Sequence, residues 1–190
     1  MPSAAIIQSL VPVTLTSASP EQQQLLGGAL KQIGFVPNMY ANMVHAPALL
    51  STYLHGYKQF RAESGFSPTE QEVVLLAISL VNDCSYCVAA HSMVADKMSG
   101  VPAHVLQAIR SGQAIDDPRL SILFDLTQDM VRSQGRPCTM RVAAFMQGGF
   151  TEQHLLYLVL AIAVKTMSNY SNHLFNTELD AVFQPYELAS

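Results

Sequence analysis

Cys84 and Cys87 have two residues between them, and His91 follows four positions after the second thiol. On a helix these positions are i, i+3 and i+7, which share one face. Two sulfurs and an imidazole then form a single strip, a thiol beside a base, as redox or nucleophilic chemistry requires. Spacing alone leaves the attacking sulfur open. Cys87 lies one turn from His91, so base assistance favours it. Cys84 lies nearer the helix start, where the dipole and exposure favour it instead. In either case the partner thiol resolves a sulfenate or mixed disulfide into a Cys84–Cys87 bridge.

Glu72 joins this set. It sits among Val73, Val74, Leu75 and Leu76, and a carboxylate on so apolar an element needs a partner. The bland alternative is a first-turn acid favoured by the helix dipole, as Glu70 is. If the Glu72 helix and the cysteine helix pack antiparallel, Glu72 and His91 lie at similar depths below the connecting turn. They can then meet directly or through a water as a proton relay. Asn82 and Asp83 mark that turn, and Asp83 or Ser85 is expected to cap the second helix.

Helices are expected over 20–33, 38–45, 47–63, 68–82, 84–98, 102–111, 117–134, 139–147 and 151–181. Pro and Gly separate them, and no hairpin signal interrupts them. Ser67-Pro68 with Glu70, Asp117-Pro118 and Thr151-Glu152 are start signals; Gly100 is a stop signal. The class is therefore all-α, with an irregular N-terminal arm over 1–19 and a single helical domain over 20–190. The runs 73–81 and 155–164 are apolar on every side and are expected at the centre of the bundle. An offset of 82 residues places 69–91 on 151–173, with Thr-Glu-Gln and a histidine repeated and the apolar register kept. This suggests a pseudo-duplicated helical hairpin in which His154 and His173 take the places of Glu72 and His91.

The chain has 190 residues, 49% of them hydrophobic and only 13% charged, with a net charge of −4. So little charge suggests that part of the surface is covered by further subunits, making a homo-oligomer the expectation. No basic stripe exists, which argues against nucleic acid. The longest apolar run is too short to span a bilayer, and the first basic residue is Lys31, which argues against a signal peptide. A soluble, cytoplasmic protein is expected. Three cysteines make no disulfide framework, and Cys138 reads as a small semi-buried residue.

The pattern of Glu72, eleven intervening residues and Cys84-x-x-Cys87-x-x-x-His91 resembles the alkylhydroperoxidase D-like family, within the carboxymuconolactone decarboxylase superfamily. Similarity extends upstream through Gly34-Phe35-Val36-Pro37-Asn38 and downstream through Lys165 to His173, covering about 30–182. The resemblance implies an all-helical trimer or hexamer that reduces hydroperoxides with thiols and needs no cofactor. It makes Cys87 the peroxidatic thiol, Cys84 the resolving one, and Glu72 with His91 the relay that activates Cys87. It also implies electrons from a dihydrolipoyl carrier protein and service to a peroxiredoxin. One departure is plain: Tyr86 stands where the family's best-understood member has a second histidine, and tyrosine is a poor base near neutral pH.

Other readings compete. Two Cys, His91 and Glu72 can complete a tetrahedral metal shell, yet no second paired motif supports one. Haem attachment is excluded because Val88 follows Cys87. A non-catalytic oligomeric stress-response protein of the same fold is a third reading. Lactone decarboxylation is a fourth, although the superfamily's decarboxylases lack the paired cysteines. Disulfide exchange without peroxide is the nearest enzymatic rival. Among the other histidines, His55 is a candidate for the pocket, while His45, His104 and His154 read as surface or cap residues and His173 as structural.

Overall fold

The computed structural model describes residues 4–188, so the first three residues of the expected arm and the last two of the expected domain lie outside it. The described residues are all-α, without a strand. In chain order the helices are α1 (Pro20–Ile33), α2 (Asn38–Met43), α3 (Pro47–Glu63), α4 (Pro68–Val81), α5 (Ser85–Lys97), α6 (Ala103–Ser111), α7 (Pro118–Arg132), α8 (Thr139–Gln147) and α9 (Glu152–Phe175). A 3₁₀ turn at Gln184–Tyr186 follows.

The start signals act as their chemistry demands. Ser67 Oγ accepts from the Glu70 N–H at 3.2 Å while Glu70 accepts from the Ser67 N–H at 2.7 Å, a reciprocal cap with Pro68 in the first turn. Asp117 accepts from the Leu120 N–H at 2.9 Å. Thr151 pairs with His154 in a similar box. Gly100 adopts φ +66°, where a Cβ is unfavourable, just past the end of α5.

Helix α4 is the centre of the bundle. Its run from Val73 to Ile78 is wholly buried, and it packs against α5, α7 and α9. One apolar cluster lies between α4 and α7; a second gathers α2, α3 and the start of α5 around the two sulfurs. The segment before α1 forms no helix but is held down. Val13 N–H donates to Ala41 O at 3.0 Å, and Ile6 and Ile7 N–H both donate to Leu174 O.

Several expectations are corrected. The hairpin is not duplicated: α4 and α5 turn at 82–84, whereas α9 runs unbroken through the corresponding positions 164–166. The matching starts are also out of step, since the N-caps are Ser67 and Thr151, and Ser67 is not the residue aligned with Thr151. His154 and His173 therefore lie along one straight helix and cannot mimic Glu72 and His91. Helix α9 ends at Phe175 rather than near 181, because Asn176 takes the left-handed conformation (φ 46°) and turns the chain. The run 155–164 is not buried all round. Leu156 is 71% and Val159 52% exposed, and with Tyr170 and Leu174 they leave an apolar stripe facing outward. Cys138 is exposed at the start of α8, its N–H donated to Asp129 at 2.7 Å.

Candidate active site

The turn between α4 and α5 sets the sulfurs. Asp83 has φ 53°, a left-handed conformation that Asp tolerates better than most residues. Cys84 N–H then returns to Ser79 O at 3.0 Å. Cys84, rather than Asp83 or Ser85, becomes the N-cap, and Cys87 falls in the first turn of α5. His173 from α9 lies 3.2 Å from the Asp83 carbonyl and holds this turn, the structural role expected of it.

Both thiols are free and buried, Cys84 at 1% and Cys87 at 2% exposure. Each thiol perturbs the other's ionisation. One amide nitrogen, Asn172 Nδ2, lies 3.7 Å from Cys84 Sγ and 3.3 Å from Cys87 Sγ. Ser168 Oγ lies 4.0 Å from Cys87 Sγ. The two sulfurs thus share one side of the backbone and one ceiling, supplied by α9.

Glu72 is fully buried and meets His91 directly: Nδ1 to Oε2 is 2.9 Å. The other carboxylate oxygen accepts from Arg61 on α3, which also reaches Gln71 Oε1 at 3.1 Å and the Tyr57 hydroxyl. Burial works to raise the Glu72 pKa, but His91 and Arg61 outweigh it and hold the carboxyl below its ordinary value. Burial, then Lys165, holds the His91 pKa down against the pull of Glu72, so the imidazole is neutral at rest. Nδ1–H therefore donates to Glu72, which leaves Nε2 as a lone pair able to take a proton.

The thiols differ sharply. The neighbouring Cys87 and then burial push the Cys84 thiol well up. At Cys87 burial also works upward, yet Cys84, Lys165 and His91 together pull the thiol well below its ordinary value. Cys84 therefore holds its proton far more tightly than Cys87 does.

Tyr86 does not stand in for a histidine. Its hydroxyl donates to Asp180 Oδ2 at 2.5 Å, and its ring packs edge-on against Phe183. Asp180 also accepts the Asn38 N–H at 3.1 Å, so the chain beyond α9 is tied to α2 and α5. His55 is exposed and does not join the site. His45 lies 2.7 Å from Val11 O, and His104 pairs with Asp116 at the surface. Among the described residues no group of His, Cys, Asp and Glu is arranged to hold a metal; both Glu72 oxygens are already engaged.

The sequence reading missed Arg61, Tyr57, Ser168, Asn172 and Lys165. Most carry no motif. Lys165 did carry a signal: between Glu152 and Phe175 it is the sole Asp, Glu, Lys or Arg, the same anomaly that singled out Glu72.

Residues 47–127, from α3 into α7, match the carboxymuconolactone decarboxylase family. Over those residues the chain is similar to that family. No curated protein matches the chain significantly. The fold is similar to that of solved structures spanning nearly the whole chain. One is an uncharacterised peroxidase-related protein from Ralstonia eutropha JMP134 with an alkylhydroperoxidase AhpD core; it is 20% identical, covers 95% of this chain and 96% of its own, and has a TM-score of 0.80. Another is an uncharacterised peroxidase-related protein from Silicibacter sp. TM1040, 20% identical over 93% and 95% of the two chains, with a TM-score of 0.74. The debrominase Bmp8, in complex with 2,3,4-tribromopyrrole as a cysteine variant, is 14% identical over 96% and 97%, with a TM-score of 0.78. At these identities the likeness concerns the fold alone.

Proposed function

We propose that this protein is a thiol-dependent peroxidase in which Cys84 and Cys87 form the redox pair and Glu72 with His91 the relay. The observation that carries the reading is a pair of buried thiols under one amide, of opposite acidity, with an imidazole backed by a carboxylate on the same helix. Cys87, its proton already passed out through His91 Nε2, attacks the outer oxygen of a hydroperoxide ROOH as the thiolate. An S–O bond forms as the O–O bond breaks; sulfur is oxidised to the sulfenic acid, and the alkoxide leaves as ROH after the relay returns a proton. Cys84 Sγ then attacks the sulfenic sulfur. The S–S bond forms, the S–O bond breaks, and the Cys84 proton leaves with the hydroxyl as water. An external dithiol reduces the bridge. A dihydrolipoyl carrier protein suits that role, and a peroxiredoxin is a client of such chemistry. The apolar stripe on α9 supports a homo-oligomer, trimer or hexamer, as the working form. Among the described residues no helix is long and apolar enough to cross a membrane, which accords with action in the cytoplasm.

A second reading draws on the likeness to a debrominase. The rings of Tyr40, Tyr53 and Tyr57 gather around Cys87, and a dithiol can supply the two electrons that replace aryl bromide by hydrogen. A single assay separates the readings. With dithiothreitol or dihydrolipoamide as donor, the protein is offered hydrogen peroxide, an alkyl hydroperoxide or a bromopyrrole, and peroxide loss and bromide release are followed. Peroxide loss at a steady rate without added metal is expected. Bromide release with inert peroxides would overturn the first reading in favour of the second; no reaction with any of them would overturn both.

A further inference from the structure

The buried charges around the sulfurs balance only when a thiolate is counted among them. Lys165 on α9 is 1% exposed, and lysine is almost never so buried without a partner. None of the ion pairs among the described residues includes it. Its face of α9 is defined by Ser168, three residues on, and Asn172, seven on, and both contact Cys87 Sγ, at 4.0 and 3.3 Å. Lys165 is near enough to Cys87 to draw its thiol toward the charged form.

No other packed element supplies the missing negative charge. On α3 the guanidinium of Arg61 is spent on Glu72 of α4. Tyr40, Tyr53 and Tyr57 are neutral phenols, each pushed further from ionising by burial. Beyond α9, Asp180 is occupied by the Tyr86 hydroxyl and the Asn38 N–H. On α5, His91 is neutral and Cys84 is protonated. Among the described residues one buried cation, the Lys165 ammonium, has no ion-pair partner, and it lies on the helix face that contacts Cys87.

We propose that Lys165 is the resident counter-ion of Cys87, holding that sulfur as the thiolate before an oxidant arrives. Its amine is a compact charge with three donors on a flexible stem, able to follow the sulfur as it reacts. The purpose of the pair rests on the peroxidase reading; its existence does not. The division of labour is then clear. Lys165 stabilises the charged nucleophile, and Glu72 with His91 carries protons in and out.

The test uses the full-length chain with Cys84→Ser and Cys138→Ser, so that Cys87 is the one thiol left. Its ionisation is followed by ultraviolet thiolate absorbance and by alkylation rate against pH, with helical content checked by circular dichroism. Replacing Lys165 by Met should raise the Cys87 midpoint by about one pH unit or more, and slow alkylation near pH 7 by roughly tenfold. Lys165→Arg should keep the midpoint low. An unmoved midpoint in a folded Lys165→Met protein overturns the proposal. Should Lys165→Met not fold, Cys87→Ser carries the test in the otherwise natural chain. It strands a buried ammonium, so adding Lys165→Met to Cys87→Ser should restore stability in denaturant unfolding; a further loss overturns the proposal. Peroxide loss by the natural chain, with both thiols present, is measured alongside. A shifted midpoint without turnover would refute the peroxidase and keep the ion pair, and turnover with an unmoved midpoint would do the reverse.

Discussion

At the residue scale the site is two short chains of polar contacts, one ending at His91 and the other at Cys87. One runs Tyr57–Arg61–Glu72–His91; the other joins Asn172, Cys84 and Cys87. Breaking the first is costly because Glu72 is fully buried. Replacing Arg61 by Ala should destabilise the protein by about 2–4 kcal/mol in denaturant unfolding, chiefly by leaving a buried carboxylate short of its partner. Acid should act on the same groups. The folded-state pKa values of His91 and Glu72 are both lowered. Each therefore contributes stability that is present above its unfolded value and lost as pH falls toward its folded one. The unfolding midpoint should accordingly fall as pH drops below about 6.5, the ordinary histidine value, and again below about 4.3. A His91→Gln variant should lose the first of these two declines; if it keeps both, His91 is not buried neutral. Glu72, Cys84, Cys87 and His91 were legible in the sequence because their types are chemically costly and their spacing matches a helix face. Arg61 was not, because one arginine on the preceding helix forms no motif; Asn172 and Lys165 reach the site from α9, far along the chain, and of these only Lys165 left a trace, as a lone charge on an apolar helix.

Helices α3, α4, α5 and α9 do the positioning. Helix α3 approaches α9 closely at Gly56, where a Cβ would lie 2.8 Å from Val164 Cγ2. Gly56→Ala should therefore cost about 1–3 kcal/mol despite the helix propensity of alanine, as overpacking does; a neutral or stabilising effect in thermal unfolding would show that the two helices separate freely. The turn at Asp83 is the second critical place. Its left-handed backbone should accept Gly and resist Val, which would cost about 1–2 kcal/mol and displace both thiols. Helix bounds were readable from caps and prolines, as at Ser67, Asp117 and Thr151. The end of α9 was not, because Asn176 stops the helix by its backbone conformation and Asp180 then draws the chain back to Tyr86 and Asn38. The apparent repeat of 69–91 in 151–173 followed hydrophobic register, which a straight helix and a hairpin can share.

For the whole molecule, the all-α class followed from periodicity and the lack of hairpin signals. Which apolar surface is interior did not. A helix apolar on every side is buried all round only if every side finds a neighbour, and α9 leaves Leu156, Val159, Tyr170 and Leu174 exposed in the single chain. If further copies cover this stripe, Leu156→Glu should shift the mass seen by sedimentation toward the monomer while helical content is kept. A natural chain that sediments as a monomer with the stripe exposed would contradict the homo-oligomer. The central claim concerns two atoms within this assembly, and it is tested most directly by mass spectrometry of the thiols after one equivalent of hydroperoxide. The natural chain should lose two thiols and gain a Cys84–Cys87 bridge, Cys84→Ser should stop at a trapped sulfenic acid on Cys87, and Cys87→Ser should stay reduced. Oxidation of Cys84 in the Cys87→Ser protein at the natural rate, or no bridge in the natural chain, would contradict the account.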